Sequence, residues 1–324
     1  MQQPLIPLDA VKFFGSNFAR PECVLCTRAG DVFASDRRGG VSHITPHGEH
    51  KLYTGATLDL SWPLHPNGIA LDRDGSFLIA QLVDGEGGVF RLHRDGRLVP
   101  VLRQVDGRDL DVTNFVLLDH GGRIWITVCT RHNPRVDAFK PGIADGYVVL
   151  IDGKGARIVA DGIGFANECR IDPSGQWLYV NETYARCLTR FRIGSDGSLS
   201  GREVVTRLGV GEFPDGLTID SEGGAWITCI VTNRLIRVAL DGKPQIVLED
   251  NDPSHVAEVE AAFQSGTLQR SLLDRHAWKK LAHISSLAFF GPDLRKAYLG
   301  LLLDKRLPVI DMPVSGLKPV HWEW

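Results

Sequence analysis

No apolar run in this 324-residue sequence is long enough to cross a bilayer, and its start, MQQPLIPLDAVKFFG, lacks a charged segment followed by a continuous apolar core. No membrane span and no export leader are expected, and the reading is a soluble, cytoplasmic protein. Positive charge is not in excess either: 36 Lys and Arg against 39 Asp and Glu give a net charge of −3, which offers no basic face for nucleic acid. Several catalytic signatures are missing. There is no G-x-S-x-G, no Gly-rich phosphate loop ending in Lys-Ser/Thr and no H-E-x-x-H, so serine-nucleophile and phosphate-cradle chemistries have no support. The six cysteines, Cys23, Cys26, Cys129, Cys169, Cys187 and Cys229, do not form two pairs at metal spacing, and a chain of this size does not need disulfide staples. All six are read as reduced and structural.

What the sequence does have is repetition. Phe213 to Thr228, FPDGLTIDSEGGAWIT, alternates apolar residues at period two on either side of an Asp220-to-Gly223 turn, the pattern of a β-hairpin. Copies anchored on the turn follow in NGIALDRDGSFLIA (Asp72, Gly75), NFVLLDHGGRIWIT (Asp119, Gly122) and NECRIDPSGQWLYV (Asp172, Gly175). Two weaker copies, ECVLCTRAGDVFAS and SLAFFGPDLRKAYLG, complete six units at 21–64, 65–110, 111–164, 165–212, 213–250 and 283–324. Each unit continues into further strands after a second turn, so the expected fold is all-β, a single six-bladed β-propeller domain over 1–324 with four strands per blade. Residues 8–14 have strand character without a hairpin of their own and are expected to pair with the last blade and close the ring. Two stretches break the period: a loop at 129–146, and a helical pair at 251–282 capped by Asp252 and Pro253.

The residue that leads each hairpin reads Glu22, Asn67, Asn114, Asn167, Asp215 and Ser286. Inner strands of a propeller line the central channel, so one frame position per blade becomes one ring around the axis. Asn and Asp before a strand are ordinary turn formers one at a time. Six in one frame are harder to explain that way, and two acids buried together need a compensating charge. An all-oxygen donor set suits one divalent cation, Ca²⁺ first, with Mg²⁺, Mn²⁺, Zn²⁺ or Fe²⁺ as alternatives. His65, and His132 in the long loop, are candidates to lie near the channel mouth. Polar convergence on the axis favours a small molecule over a protein or membrane partner, while a homo-oligomer stays open.

With these residues in view the chain resembles the SMP-30/gluconolactonase/luciferin-regenerating-enzyme family of six-bladed propellers. The resemblance covers essentially the whole chain and rests on Pro21-Glu22, Asn114 with Asp119, Ala166-Asn167 and Phe213-Pro214-Asp215-Gly216. It implies a cation held by Glu22, Asn167 and Asp215, with Asn114 beside metal and substrate; Asn67, His65, Arg131 and His132 are further candidate substrate contacts from their positions in the chain. The implied activity is hydrolysis of a lactone: the cation polarises the carbonyl and Asp215 takes a proton from the attacking water. Phosphotriesterase-like or lyase activity on the same site, or a non-enzymatic binding propeller, are the alternatives. Sugar-lactone hydrolases of the family can carry an Arg two residues before the third-blade Asn, where this chain has Val112. That difference points to a less hydroxylated lactone or ester.

Overall fold

The Asp-to-Gly turns form because each half does a separate job. Gly30, Gly75, Gly122, Gly175 and Gly223 all adopt φ between +71° and +97°, a region that Cβ-bearing residues resist. At the other end the Asp carboxylate collects backbone N–H groups the turn would leave unpaired. Asp220 accepts from the backbone N–H of Glu222 and Gly224 at 2.9 and 2.8 Å, and its second oxygen takes the Trp226 indole N–H and Arg237 Nε at 2.9 and 2.8 Å. Asp119 repeats this with Gly121, Arg123 and Trp125. The acid thus fixes the turn and also anchors a tryptophan that is fully buried.

Residues 4–55, 60, 64–275 and 277–324 are described by the computed structural model; the tail of the first unit, 56–59 and 61–63, lies outside them. Strands pair in six antiparallel four-stranded sheets, one per repeat unit, each in simple sequential order except the last. The inner strands are Val24–Cys26, Pro66–Leu71, Thr113–Leu118, Ala166–Ile171, Pro214–Ile219 and Ile284–Phe290. In the sixth sheet the outermost strand comes from the N-terminus: Lys12–Phe14 pairs with Leu307–Asp311 through Lys12↔Val309 and Phe14↔Leu307. Ring closure therefore follows the expectation over 12–14, while Leu8–Ala10 is a 3-10 turn instead. The core lies between blades, where Phe33, Phe77, Trp125, Val148 and Leu178 interdigitate from four successive sheets.

Both insertions fold over one end of the channel. In the second, α1 (Pro253–Gln264) starts at Asp252, whose carboxylate caps Ser254 and His255, and it buries Val259 and Phe263. The expected second helix is only the single turn α2 (Arg270–Leu273). The long loop carries a 3-10 turn, Arg135–Ala138. Both insertions join Val112, Phe165, Tyr184 and Phe213 in one apolar cluster, through Ala138 and Phe139 from the loop and Phe263 and Leu273 from the helices. At the far end the chain's last residues leave blade six and cross beneath the channel. Leu317 donates to Ile219 O, and Arg28 donates to Trp322 O. Between that tail and the inner strands is an apolar cavity of about 330 Å³.

Asp220→Ala removes one fully buried acid that serves four donors, including a half-buried guanidinium, and the expected loss is about 3–5 kcal/mol of unfolding free energy in urea. Asp172, whose partners are backbone amides and Ser174 in an exposed turn, should lose only about 1 kcal/mol on the same change. Equal losses at the two sites would contradict the anchoring role.

Candidate functional site

The side chains that lead each hairpin are aimed at the axis by a local irregularity. In blades two to six the pairing of inner strand with its neighbour slips at that position: between Pro66 and Ile69, Thr113 and Phe115, Ala166 and Cys169, Pro214 and Leu217, and Ile284 and Ser286. Such a bulge sets extra residues against the partner strand and re-aims their side chains. In blade one the inner strand begins only at Val24, and Glu22 lies in the approach to it, two residues after Arg20 at φ +54°. The blades also crowd together here. A Cβ on Gly216 would fall 2.2 Å from Ser285 O, and one on Gly68 would fall 2.4 Å from Phe115 Cδ2.

All six leading residues are buried. Arg20 Nη1 donates to Glu22 Oε2 at 2.5 Å and to Asn67 Oδ1 at 3.2 Å, and Asn67 Nδ2 donates to Asn114 O at 3.1 Å. Across the ring Asn167 Nδ2 donates to Asp215 Oδ1 at 2.5 Å and to Thr183 Oγ1 at 3.0 Å. The Ser285 and Ser286 hydroxyls both donate to Glu22 O, which ties the sixth blade to the first. The ring is thus one hydrogen-bonded neighbourhood in two arcs.

Its electrostatics are unbalanced. Burial first, and then the Glu22 carboxylate, hold the Asp215 carboxyl well above its ordinary range, with Asn167 pulling the other way. Glu168, the neighbour of Asn167 in the bulge, is pushed up to about 7 by burial despite Arg170 alongside. Two buried amide oxygens of the ring, Asn114 Oδ1 and Asn167 Oδ1, have no hydrogen-bond donor. An acceptor stranded in this way costs on the order of 1–3 kcal/mol. Among the described residues no three His, Cys, Asp or Glu gather into a metal cluster. What the ring offers is two acids and unpartnered amide oxygens, a donor set that fits a hard cation.

The remaining candidates separate. His65 lies within electrostatic reach of Arg37, Arg135 and Arg20, and burial and those charges lower its pKa. Arg131 and His132 are engaged in another network: Arg131 pairs with Asp161 at 2.8 Å and lies over the Tyr147 ring, and His132 Nδ1 meets Asp145 at 2.9 Å. Arg135 of the long loop pairs with Asp84 at 3.3 Å, within electrostatic reach of His65. Arg20, Glu168 and Arg270 are absent from the sequence-derived set. Glu168 flanks a framed position where a regular strand would point it away, Arg20 precedes its inner strand altogether, and Arg270 comes from an insertion with no counterpart in other blades. The positive φ at both Arg20 and Phe165, each two residues before an axial residue, appears only in the backbone.

The sequence model of the SMP-30/Gluconolactonase/LRE-like region matches residues 22–257. Over 268 residues, 81% of this chain and 78% of the relative, the sequence is 24% identical to the 6-deoxy-6-sulfogluconolactonase of Pseudomonas putida. The fold is similar to that of a gluconolactonase from Xanthomonas campestris, with TM-score 0.65 at 18% identity over 92% of this chain and 88% of that one. It is also similar to the calcium-binding protein regucalcin of Agrobacterium tumefaciens, with TM-score 0.64 at 16% identity over 94% and 96%.

A carboxyl whose folded-state pKa is raised binds its proton more tightly when folded. The penalty on the charged form is absent below its ordinary value near 3.8 and grows as pH rises toward the folded value. In chelator-treated protein, Asp215→Asn should therefore gain thermal midpoint over wild type as pH rises from 4 to 7.5. The expected gain is about 2–4 °C for each kcal/mol of relief. A difference that stays constant with pH would show that Asp215 is not strained by burial and Glu22.

Proposed function

Because the chain belongs to the SMP-30/gluconolactonase/LRE-like family, we propose that it hydrolyses a lactone with one divalent cation, Ca²⁺ first, held by Glu22, Asn167 and Asp215. One observation carries the reading. Two buried acids share a ring with amide oxygens that no donor reaches, and a cation would relieve both defects at once. A relative that acts on a sulfonated gluconolactone and a structural neighbour that binds calcium support the same chemistry.

When bound, such a cation supplies a Lewis acid next to the substrate carbonyl. The chain's residues do the rest. Asp215 accepts a proton from the water that attacks the carbonyl carbon, and a proton passes to the ring oxygen as the acyl C–O bond breaks, giving the hydroxy acid. Asn114 and Asn67, linked by a hydrogen bond, orient the ring. The aromatic wall of Phe165, Tyr184 and Phe213, whose rings pack at 4.7 and 5.9 Å, limits bulk water. Val112 belongs to that wall and offers a sugar hydroxyl no partner. Six free, buried cysteines suit a reducing compartment, and we assign the protein to the cytoplasm.

Purified protein should hold about one divalent ion per chain, and chelation with EDTA should abolish acid release from a lactone panel, restored by Ca²⁺. Glu22→Gln and Asp215→Asn should each lower bound metal and reduce kcat/KM by about 10²-fold or more. Intact metal content and turnover in both variants would remove the ligand assignment. Turnover of a phosphotriester with silence across lactones would replace the reaction.

A further inference from the structure

The two insertions do more than cover the channel end, because each brings an arginine to it. Arg135 opens the 3-10 turn whose Ala138 packs with Val112 and Phe165, and Arg270 opens α2, whose Leu273 joins the same cluster. Val112, Phe165 and Phe213 each lie two residues before an axial residue, so this cluster is the wall of the mouth. Ring contacts seal it: Phe139 meets Phe165 at 5.7 Å, and Phe263 meets Phe213 at 5.2 Å. From below, Arg20 reaches Glu22 and Asn67. Arg37 is the fourth guanidinium, close enough with Arg20 and Arg135 to act on His65.

The counter-charges at the rim are fewer. Arg135 meets Asp84 at 3.3 Å and Arg270 meets Asp274 at 2.7 Å, with both arginine side chains partly exposed. Among the described residues, Arg20, Arg37, Arg135 and Arg270 come to this end, and Asp84 and Asp274 are the carboxylates paired with the two rim arginines. Glu22 and Asp215 would balance a bound cation, and Glu22 is the one acid that Arg20 pairs with among the described residues. Arg270 also senses the axis itself. Burial works against its charge, while Asp274 first and then Tyr184 and Asp215 support it, and His283 is pushed down to about 4 by burial and by Arg270. Arg270 spends Nε and Nη2 on Asp274, at 2.9 and 2.7 Å, and keeps its Nη1 donors for a carboxylate, sulfonate or phosphate oxygen.

We infer that the substrate is a lactone or ester bearing an anionic substituent, read at the rim by Arg270 and Arg135 while Arg20 orients the ring against Asn67. This rests on the lactonase reading of the same site. If the arginines merely neutralised the channel acids, a neutral lactone would be turned over equally well. The test compares kcat/KM of Ca²⁺-loaded protein on 6-phosphogluconolactone and on gluconolactone, alongside calorimetric binding of the products 6-phosphogluconate and gluconate. Wild type should favour the phosphorylated partner of each pair by at least about tenfold. Arg270→Gln should cut that preference by roughly tenfold, equivalent to about 1.4 kcal/mol. Arg270→Lys, which keeps the charge without the planar donors, should restore only part of it, and Arg135→Gln, on a separate element, provides the same readout should the first variant fold poorly. A ratio near one in wild type, or a preference untouched by both Gln variants, overturns the inference and leaves the lactonase reading standing. Binding of 6-phosphogluconate that depends on Arg270, with no lactone turned over, would keep the anion site and overturn the reaction.

Discussion

The repulsion between two buried carboxylates, Glu22 and Asp215, organises this molecule. Both are buried, the Glu22 charge raises the cost of ionising Asp215, and they come from blades first and fifth in the chain. Every neighbouring feature answers that charge. Arg20 hydrogen-bonds one acid, Asn167 the other, and two amide oxygens remain without donors where a cation would complete them. A channel lined only by apolar side chains would have been more stable. Retaining paired acids at the axis is the mark of a site whose charge is completed by something bound.

Much of this was legible in the chain because the turns were. Asp220 and Gly223 set a frame, and once the other hairpins were laid on it, Asn67, Asn114, Asn167, Asp215 and Glu22 fell at equivalent positions. Propeller geometry then carries them to one axis. The N-terminal strand was legible for a related reason: LDAVKFF has strand character but no hairpin of its own. Three of its residues do pair, with the opposite end of the chain.

What escaped was anything that depends on a broken register. Period-two reasoning sends Glu168 away from Asn167, yet the bulge between Ala166 and Cys169 gives that segment extra length, and Glu168 ends in the channel wall, bonded to Leu217 N. Arg20 sits outside the frame and acts through a left-handed backbone that sequence does not announce. Arg270 belongs to a four-residue helix in an insertion, so no repeat could align it. Arg131 and His132 show the converse: polar residues in a suspicious loop, drawn instead to Asp161 and Asp145 by nearer carboxylates.

The strand Lys12–Phe14, pairing with Leu307–Asp311, has an effect beyond its three residues. Without it the sixth sheet would have three strands, and its tie to the first blade would rest on the Ser285 and Ser286 hydroxyls at Glu22 O and on Leu301 N at Pro21 O. With it the ring has no terminal repeat. Any displacement of one blade must then be shared by all. Because every blade contributes one side chain to the axis, that shared constraint fixes the spacing between Glu22 and Asp215, residues 193 positions apart in the chain. The first strand thus acts as a clasp between the two ends of the chain.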